Sequence, residues 1–474
     1  MNDSLRVIIG LGITGFSVAR YFTARGISFM MMDTKTHPDR LAEFQSLYPK
    51  VSLHLGSFDE ALLYRCEQIV LSPGVPLSTP ALQRAQQQGV EIVGDIELFA
   101  REVSKPVIAI TGSNGKSTVT SLLGEMAKEA GIDVAVGGNL GTAALDLLLE
   151  HPHAALFVLE LSSFQLETTW SLKPKAATIL NICADHCDRY ASMAEYIAAK
   201  QRIYHQAEVA IYNADDLATK PNDSKPNGNE AANISWIPQT SRGTTLSTTE
   251  TSSRGLSAGS RDPDNHTNQQ EVIAFNVNQP LFPLEHIQLQ GQHNRANIAA
   301  ACALAKAVGI STQAMQAALE QFSGLPHRCQ FVGEYGGVKW INDSKGTNVG
   351  ATLAAIEGLG SPAKGNLVLI AGGDGKGADF TPLQSRASYL RAVILLGKDA
   401  AQLESIFSSQ LPCYRVVDLE QAVQVAAKQA QSGDMVLLSP ACASIDMFRN
   451  YAHRGELFSQ LALQWIAQHA KETL

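Results

Sequence analysis

The sequence predicts three α/β units in tandem, each built on a largely parallel sheet, and three observations carry that reading. The chain has 474 residues, whereas single hydrophobic cores stop growing at roughly 250–300 residues. Three stretches, 7–15, 107–117 and 367–377, each run from β-branched apolar residues into a glycine turn, the pattern of a strand followed by a phosphate-style loop. Further runs at 29–33, 68–72, 155–160, 177–181, 392–396 and 435–439 are almost continuously apolar. Such runs suit parallel strands covered on both faces.

Short polar or turn-forming stretches near 101–105 and 324–326 separate the units, giving expected domains at 1–103, 104–325 and 326–474. Residues 220–270 differ in kind, being dense in Ser, Thr, Asn, Gly and Pro. They are expected to form a solvated, partly disordered insertion in the middle domain.

Composition excludes several classes. With 45% hydrophobic and 17% charged residues, and no apolar run near the roughly 20 residues that span a bilayer, no membrane span is expected. Residues 1–6 lack the basic and apolar pattern of a secretion signal, so a cytoplasmic protein is expected. Seven scattered cysteines form an odd set without a disulfide framework and read as reduced thiols. A formal charge of -8 disfavours nucleic acid, whose phosphates are held by clustered Lys and Arg.

The motif with the clearest chemistry is Thr111-Gly112-Ser113-Asn114-Gly115-Lys116-Ser117-Thr118, between an expected strand and an expected helix. Glycines let backbone N–H groups converge on phosphate oxygens and the helix N-terminus favours an anion. Lys116, read as an exposed loop lysine, supplies a cation, and Ser117 can ligate magnesium. Only two residues separate Gly112 from Gly115, where the general phosphate loop has four. Glu160 ends a buried strand, and His186 follows another in Asn181-Ile182-Cys183-Ala184-Asp185-His186-Cys187-Asp188. Active sites of open α/β sheets gather at the carboxyl ends of strands, so these segments should converge on the loop. Read singly, Glu160 is a solvated strand-end carboxylate and His186 an ordinary hydrogen-bonded histidine. Cys183, His186 and Cys187 also invite a zinc reading, against the plainer one of thiols in a core.

Near the N-terminus, Gly10-Leu11-Gly12-Ile13-Thr14-Gly15, with Asp33 ending the next strand, fits a dinucleotide fingerprint. A nucleotide diphosphate other than a nicotinamide cofactor satisfies the same physics. Gly12, Ile13 and Thr14 would then approach the diphosphate, Asp33, Thr34 and Lys35 the sugar or base, and Ser72 and Gly74 the pocket floor. A structural glycine turn is the bland alternative.

Taken together, the phosphate loop, Glu160-Leu161-Ser162-Ser163-Phe164, Asp185-His186-Cys187-Asp188 and Gly291-Gln292-His293-Asn294-Arg295-Ala296-Asn297 resemble the Mur ligases of peptidoglycan synthesis. That family also has the shortened loop. Gly94-Asp95-Ile96-Glu97-Leu98-Phe99, Gly324-Leu325-Pro326-His327-Arg328, Asn342-Asp343-Ser344-Lys345-Gly346-Thr347-Asn348 and Ser439-Pro440-Ala441-Cys442-Ala443-Ser444 place the likeness among the members that add D-glutamate to UDP-N-acetylmuramoyl-L-alanine. The phosphate loop alone marks a wider group that includes folylpolyglutamate synthetases.

The resemblance implies an N-terminal Rossmann-like UDP-binding domain, a central P-loop ATPase-type domain and a C-terminal Rossmann-like domain for the amino acid. It implies ATP and two magnesium ions, with Gly112, Asn114, Gly115, Lys116, Ser117, Thr118, Asn294, Asn297, Arg328 and Asp343 at the nucleotide. Ser117, Glu160, His186 and a carbamylated Lys200 would hold metal, and Lys116, His186 and Lys200 would serve catalysis. Asn139 would lie near the muramoyl portion, and Thr347, Lys376, Ser444 and Tyr451 would form the D-glutamate pocket. Ala184, Tyr451 and the 220–270 insertion depart from the family's usual pattern.

The implied reaction phosphorylates a carboxylate with ATP, and an amine then attacks the acyl phosphate. A monomer acting on small molecules is expected. Two rivals are a nicotinamide-dependent dehydrogenase, which leaves the Lys116 loop unexplained, and a catalytically silent nucleotide-binding module.

Overall fold

The computed structural model describes residues 5–222, 270–278, 281–282, 287, 289 and 291–472, so most of the expected 220–270 insertion lies outside the described residues. Among the described residues, the strands form three sheets. The first holds β1 (Arg6–Ile9), β2 (Met30–Asp33), β3 (Leu53–Leu55), β4 (Gln68–Leu71) and β5 (Glu91–Val93), all parallel, in the order β3-β2-β1-β4-β5.

The second sheet holds β6 (Val107–Thr111), β7 (Val134–Gly138), β8 (Leu156–Glu160), β9 (Ala176–Ile179), β10 (Val209–Asn213) and β11 (Glu271–Phe275). It is again parallel, ordered β11-β10-β9-β6-β8-β7. Strands β6, β8 and β9 are buried at every position, as continuous apolar runs covered by helices require. Because β8 and β9 flank β6, the residues after all three emerge side by side, with Ile110 paired to Glu160 and Thr111 to Ile179. That adjacency creates the cleft.

The third sheet comprises β12 (Gln330–Tyr335), β13 (Val338–Asn342), β14 (Leu367–Gly372), β15 (Leu390–Leu396), β16 (Cys413–Arg415) and β17 (Met435–Leu438), ordered β12-β13-β17-β14-β15-β16. Only β12 runs antiparallel to its neighbour. As an edge strand it has no fully buried residue, and it lacks the continuous apolar signature of the others.

The first two units share one core. Phe99 meets Phe157 edge-on at 5.4 Å between ring centres, and apolar residues from both sheets belong to a single buried cluster. The Glu97 carboxylate, fully buried, accepts the N–H groups of Trp170 at 2.8 Å and Ser171 at 2.9 Å and pairs with Arg101. Two apolar clusters hold the third unit's core. Among the described residues no helix is long and apolar enough to cross a membrane.

The third glycine turn is not a phosphate loop. The Gly372 N–H donates to Pro440, that of Asp374 to Ala443, that of Gly375 to the Asp399 carboxylate and that of Lys376 to the Asp374 carboxylate. Side chains substituted at Gly372 or Gly373 would strike the Leu396 or Ala443 carbonyl oxygen at about 2 Å, so these glycines serve close backbone packing.

Candidate active site

The loop after β6 turns into helix Lys116–Glu129 through Gly115, whose φ of +83° favours glycine. A Cβ there would also stand 2.3 Å from Asn297 Oδ1. Asn181, just past β9, braces the loop: its Oδ1 accepts the Asn114 N–H at 2.8 Å and its Nδ2 donates to the Asn114 carbonyl at 3.0 Å. The Ser113 hydroxyl bridges Cys183 and Tyr196.

Lys116 is not the exposed loop lysine that the sequence suggested. It is the first residue of the helix, and its ammonium folds back onto the Gly112 and Ser113 carbonyls at 2.8 and 2.9 Å. Burial lowers its pKa, against the opposing charges of Glu160 and Asp185.

Glu160 ends β8 and is 3% exposed. Asn139 donates to Oε1 at 2.7 Å, while Oε2 is buried and accepts no hydrogen bond. Burial alone would raise the Glu160 pKa, but the charge of Lys116 above all, then the Ser117 hydroxyl and the Asn139 amide, hold it below the usual value. Lys116 supplies a compensating charge, yet Oε2 keeps no hydrogen-bond donor, which suits a hard cation bound beside the loop.

His186 adopts a left-handed backbone, φ +55°, uncommon for a residue with a side chain. Its ring packs 4.6 Å from Phe164, and Nε2 lies 3.8 Å from Asp185 Oδ2. Burial depresses its pKa against the pull of Asp185, keeping a neutral imidazole available as a ligand. The neighbouring thiols do not join it: Cys183 Sγ accepts from Asn114 Nδ2 at 3.2 Å, and Cys187 is exposed. Lys200, in helix Met193–Gln201, is 2% exposed and donates to the Gly112 carbonyl at 2.9 Å.

A cleft of about 500 Å³ opens over the loop, and Asn114, Gly115, Thr118, Asn294, Asn297, Arg328 and Asp343 all line it. Arg328 reaches the Ser117 hydroxyl at 2.8 Å. Asn297 donates to Asn294 Oδ1 at 3.1 Å. Asp343 accepts from Ser439 at 2.7 Å, and burial pushes its pKa up to about 6.

From the third unit, Lys376 (φ +53°) points its ammonium at Asp185 Oδ1 across 3.8 Å. Thr347 is half-buried and Ser444 buried. The Tyr451 ring lies 3.9 Å beneath the Lys345 ammonium. Sequence reasoning assigned no role to Lys345, which lines the same cleft and whose pKa burial, Arg328 and Lys116 lower to about 8. A lysine between Asp343 and Thr347 in a glycine-containing turn was the signal to read. Asp185, which meets His186, Lys376 and Asn348, was likewise passed over.

At the first sheet, Gly12 precedes helix Ile13–Ala24, whose N-terminus carries no side-chain cap, leaving its N–H groups for an anion. Asp33 does not simply face outward: its carboxylate accepts the N–H groups of Leu11 at 2.7 Å and Lys35 at 2.8 Å, fixing the glycine turn and the turn after β2 against each other. Gly12, Ile13, Thr34, Lys35 and Gly74 are exposed around it, with Thr14 and Ser72 half-buried. Ser72 donates to the Gly10 carbonyl at 3.2 Å.

Family models match along the chain: the N-terminal domain of MurD-like Mur ligases over 4–94, the Mur ligase middle domain over 110–305 and the Mur ligase glutamate ligase domain over 327–442. A UDP-N-acetylmuramoylalanine--D-glutamate ligase from Legionella pneumophila strain Paris is 48% identical over 466 residues, covering 97% of this chain and 99% of its own. The enzyme of that name from Pseudomonas putida is 47% identical over 462 residues, covering 97% and 98%. Among solved structures, MurF ligase from Thermotoga maritima in complex with ADP superposes with a TM-score of 0.57 at 14% identity, covering 98% of this chain and 99% of that one. The UDP-N-acetylmuramate-alanine ligase MurC from Thermotoga maritima gives 0.55 at 16%, covering 96% and 98%. At such identities these two show the shared fold alone. The near full-length identity to the two bacterial ligases, together with three domain models in the matching order, shows that the chain belongs to the Mur ligase family.

Proposed function

We propose that the cleft joins D-glutamate to UDP-N-acetylmuramoyl-L-alanine, consuming ATP, in peptidoglycan synthesis. The observation that supports this most is that Lys116 of the phosphate loop is coupled to a buried Glu160 with a free oxygen and to Asp185, which Lys376 meets from the third unit. The dehydrogenase reading leaves these unexplained. The first unit, 1–103, takes the UDP end at the uncapped helix and Asp33. The central unit, 104–325, holds ATP, and the third, 326–474, receives the amino acid at Thr347, Lys376, Ser444 and Tyr451. The enzyme is read as acting in the cytoplasm, in keeping with its ordinary globular composition, and as a monomer.

In the first step a carboxylate oxygen of the UDP substrate attacks the γ-phosphorus and ADP leaves. In the second, the deprotonated amine of D-glutamate attacks the acyl carbon and phosphate leaves, forming the amide. Charge spreads over the equatorial oxygens in the first step. Lys116, Arg328 and the loop N–H groups offset it. Positioning supplies much of the rest of the acceleration.

The residues fit a divalent cation: Glu160 Oε2, the Ser117 hydroxyl, a neutral His186 and a carbamate on Lys200 are the groups that would hold it. When bound, magnesium neutralises phosphate charge. Lys200 is buried with its pKa held well below the usual lysine value, by burial first and by the charge of Lys116 second. Both effects favour the neutral amine that carbamylation needs.

The test is phosphate release that requires ATP, UDP-N-acetylmuramoyl-L-alanine and D-glutamate together. Lys116→Ala should lower turnover by roughly 10²–10³ while the far-ultraviolet dichroism stays that of the wild type. Near-normal turnover in the variant would remove the phosphate-loop assignment.

A further inference from the structure

The turn that opens helix Val349–Leu359 touches the phosphate loop through groups that the reaction steps above leave unused. Asn348 Nδ2 donates to Asn114 Oδ1 at 3.1 Å, and Asn114 Nδ2 donates back to Asn348 Oδ1 at 3.3 Å. The two amides form a reciprocal pair across the join between the second and third units. Asn348 Nδ2 also donates to Asp185 Oδ2 at 3.1 Å, and Oδ1 caps its own helix by accepting the Ala351 N–H at 2.8 Å. The residue is 6% exposed, and its side-chain hydrogen-bonding capacity is filled.

Two residues on, Gly350 lies in the helix without a positive φ, so its backbone does not call for glycine. Its surroundings do. A Cβ there would stand 2.7 Å from the Cys183 sulfur, 3.1 Å from the Cys183 Cβ and 3.5 Å from Asn114 Nδ2. The missing side chain lets the helix start rest on the loop.

The same turn carries Lys345 and Thr347. We infer that Asn348 and Gly350 are positioning residues that seat this turn on the phosphate loop, so that the amino-acid pocket is assembled against the nucleotide site. The inference rests on the proposed ligase reading. An amide pair that replaces two amide–water contacts gains little net free energy, so the contact sets register and can release. The close approach of Cys183 to Gly350, which leaves no room for a Cβ, makes that register exclusive.

The test is steady-state ligation with ATP, UDP-N-acetylmuramoyl-L-alanine and D-glutamate. Asn348→Ser keeps a good N-cap acceptor, but its shorter side chain with a single hydroxyl proton cannot make both donations to Asn114 and Asp185. Gly350→Ala favours the helix itself and obstructs only the contact. Each should raise the D-glutamate KM about tenfold, as the loss of one or two hydrogen bonds predicts. The UDP-substrate KM and the melting temperature should stay at wild-type values. Adding Cys183→Ala to Gly350→Ala should bring the D-glutamate KM back toward the wild type.

If Asn348→Ser does not fold, Gly350→Ala carries the test alone. A wild-type D-glutamate KM in Gly350→Ala would overturn the inference. So would an elevated KM that Cys183→Ala leaves in place, since the fault would then lie in the helix. A wild-type enzyme that ligates no D-glutamate would instead bring down the proposed function.

Discussion

Lys116 and Lys200 donate to the same oxygen, the carbonyl of Gly112, at 2.8 and 2.9 Å. Two ammonium groups on one acceptor repel at close range, by several kcal/mol even at an effective dielectric near 20. Lys200 is the more deeply buried of the two, and burial first, with the charge of Lys116 second, holds its pKa well below the usual lysine value. On the proposed reading, a buried lysine whose charge is so disfavoured is where a carbamate would reverse the sign of the residue.

Lys200→Ala should therefore lose more than about 10-fold in turnover and regain part of it with added short-chain carboxylates. Mass spectrometry under bicarbonate should find the extra carboxylate on the wild type. Full activity in Lys200→Ala without added acid would show that no carbamate is needed.

Asp33 acts through the backbone. Because its two oxygens tie the Leu11 and Lys35 N–H groups together, Asp33→Ala should loosen the glycine turn. The KM for the UDP substrate should rise about tenfold, as two lost charge-assisted hydrogen bonds predict, with the KM for ATP unchanged. Calorimetry in which the variant binds the UDP substrate as the wild type does would place the nucleotide elsewhere.

How much of this was legible beforehand depended on distance along the chain. The strands β6, β8 and β9 showed as apolar runs because each is buried on both faces, and the loop from Thr111 to Thr118 showed because its chemistry is contiguous. Edge strand β12 did not show, since a half-covered antiparallel strand has no continuous apolar run. Strand order was hidden too, because the placement of β8 and β9 beside β6 is decided by crossovers and not by local pattern. Lys116 was misjudged for the same reason: in sequence it sits in a glycine-rich loop, and only the folded loop offers it the Gly112 and Ser113 carbonyls. Asn348 carried a readable signal as a helix cap, yet its partner Asn114 lies 234 residues away.

Lys376 meets Asp185 at 3.8 Å. An amino acid bearing a second carboxylate would give that ammonium a better partner, free of the competing charges around Asp185. Lys376→Ala should raise the D-glutamate KM by roughly 10–100-fold, the scale for losing a charged hydrogen-bond partner. Competing away the preference should also follow: the variant should distinguish D-glutamate from D-glutamine less than the wild type does. Unchanged D-glutamate affinity would sink this assignment.

Asp95 opens helix Asp95–Glu102 at the seam of the first two units. Gln165 donates to Oδ2 at 3.3 Å, while Oδ1 is buried without a hydrogen-bond partner. Burial pushes its pKa from 3.8 up to about 6. The folded protein thus holds this proton more tightly than the unfolded chain. The associated stability is fully present below pH 3.8 and is lost as pH rises through about 6. The rise is worth on the order of 3 kcal/mol when complete, of which roughly half appears between pH 8 and pH 5. Asp95→Asn cannot titrate, keeps the shape and offers the Gln165 side chain an amide partner. At pH 8, where the wild type buries a charge, the variant should be the more stable by urea denaturation. Its advantage should shrink at pH 5 by on the order of 1 kcal/mol. An advantage that stays constant between those pH values would mean that Asp95 remains ionised throughout, and that the seam carries a buried charge with a counter-ion yet to be identified.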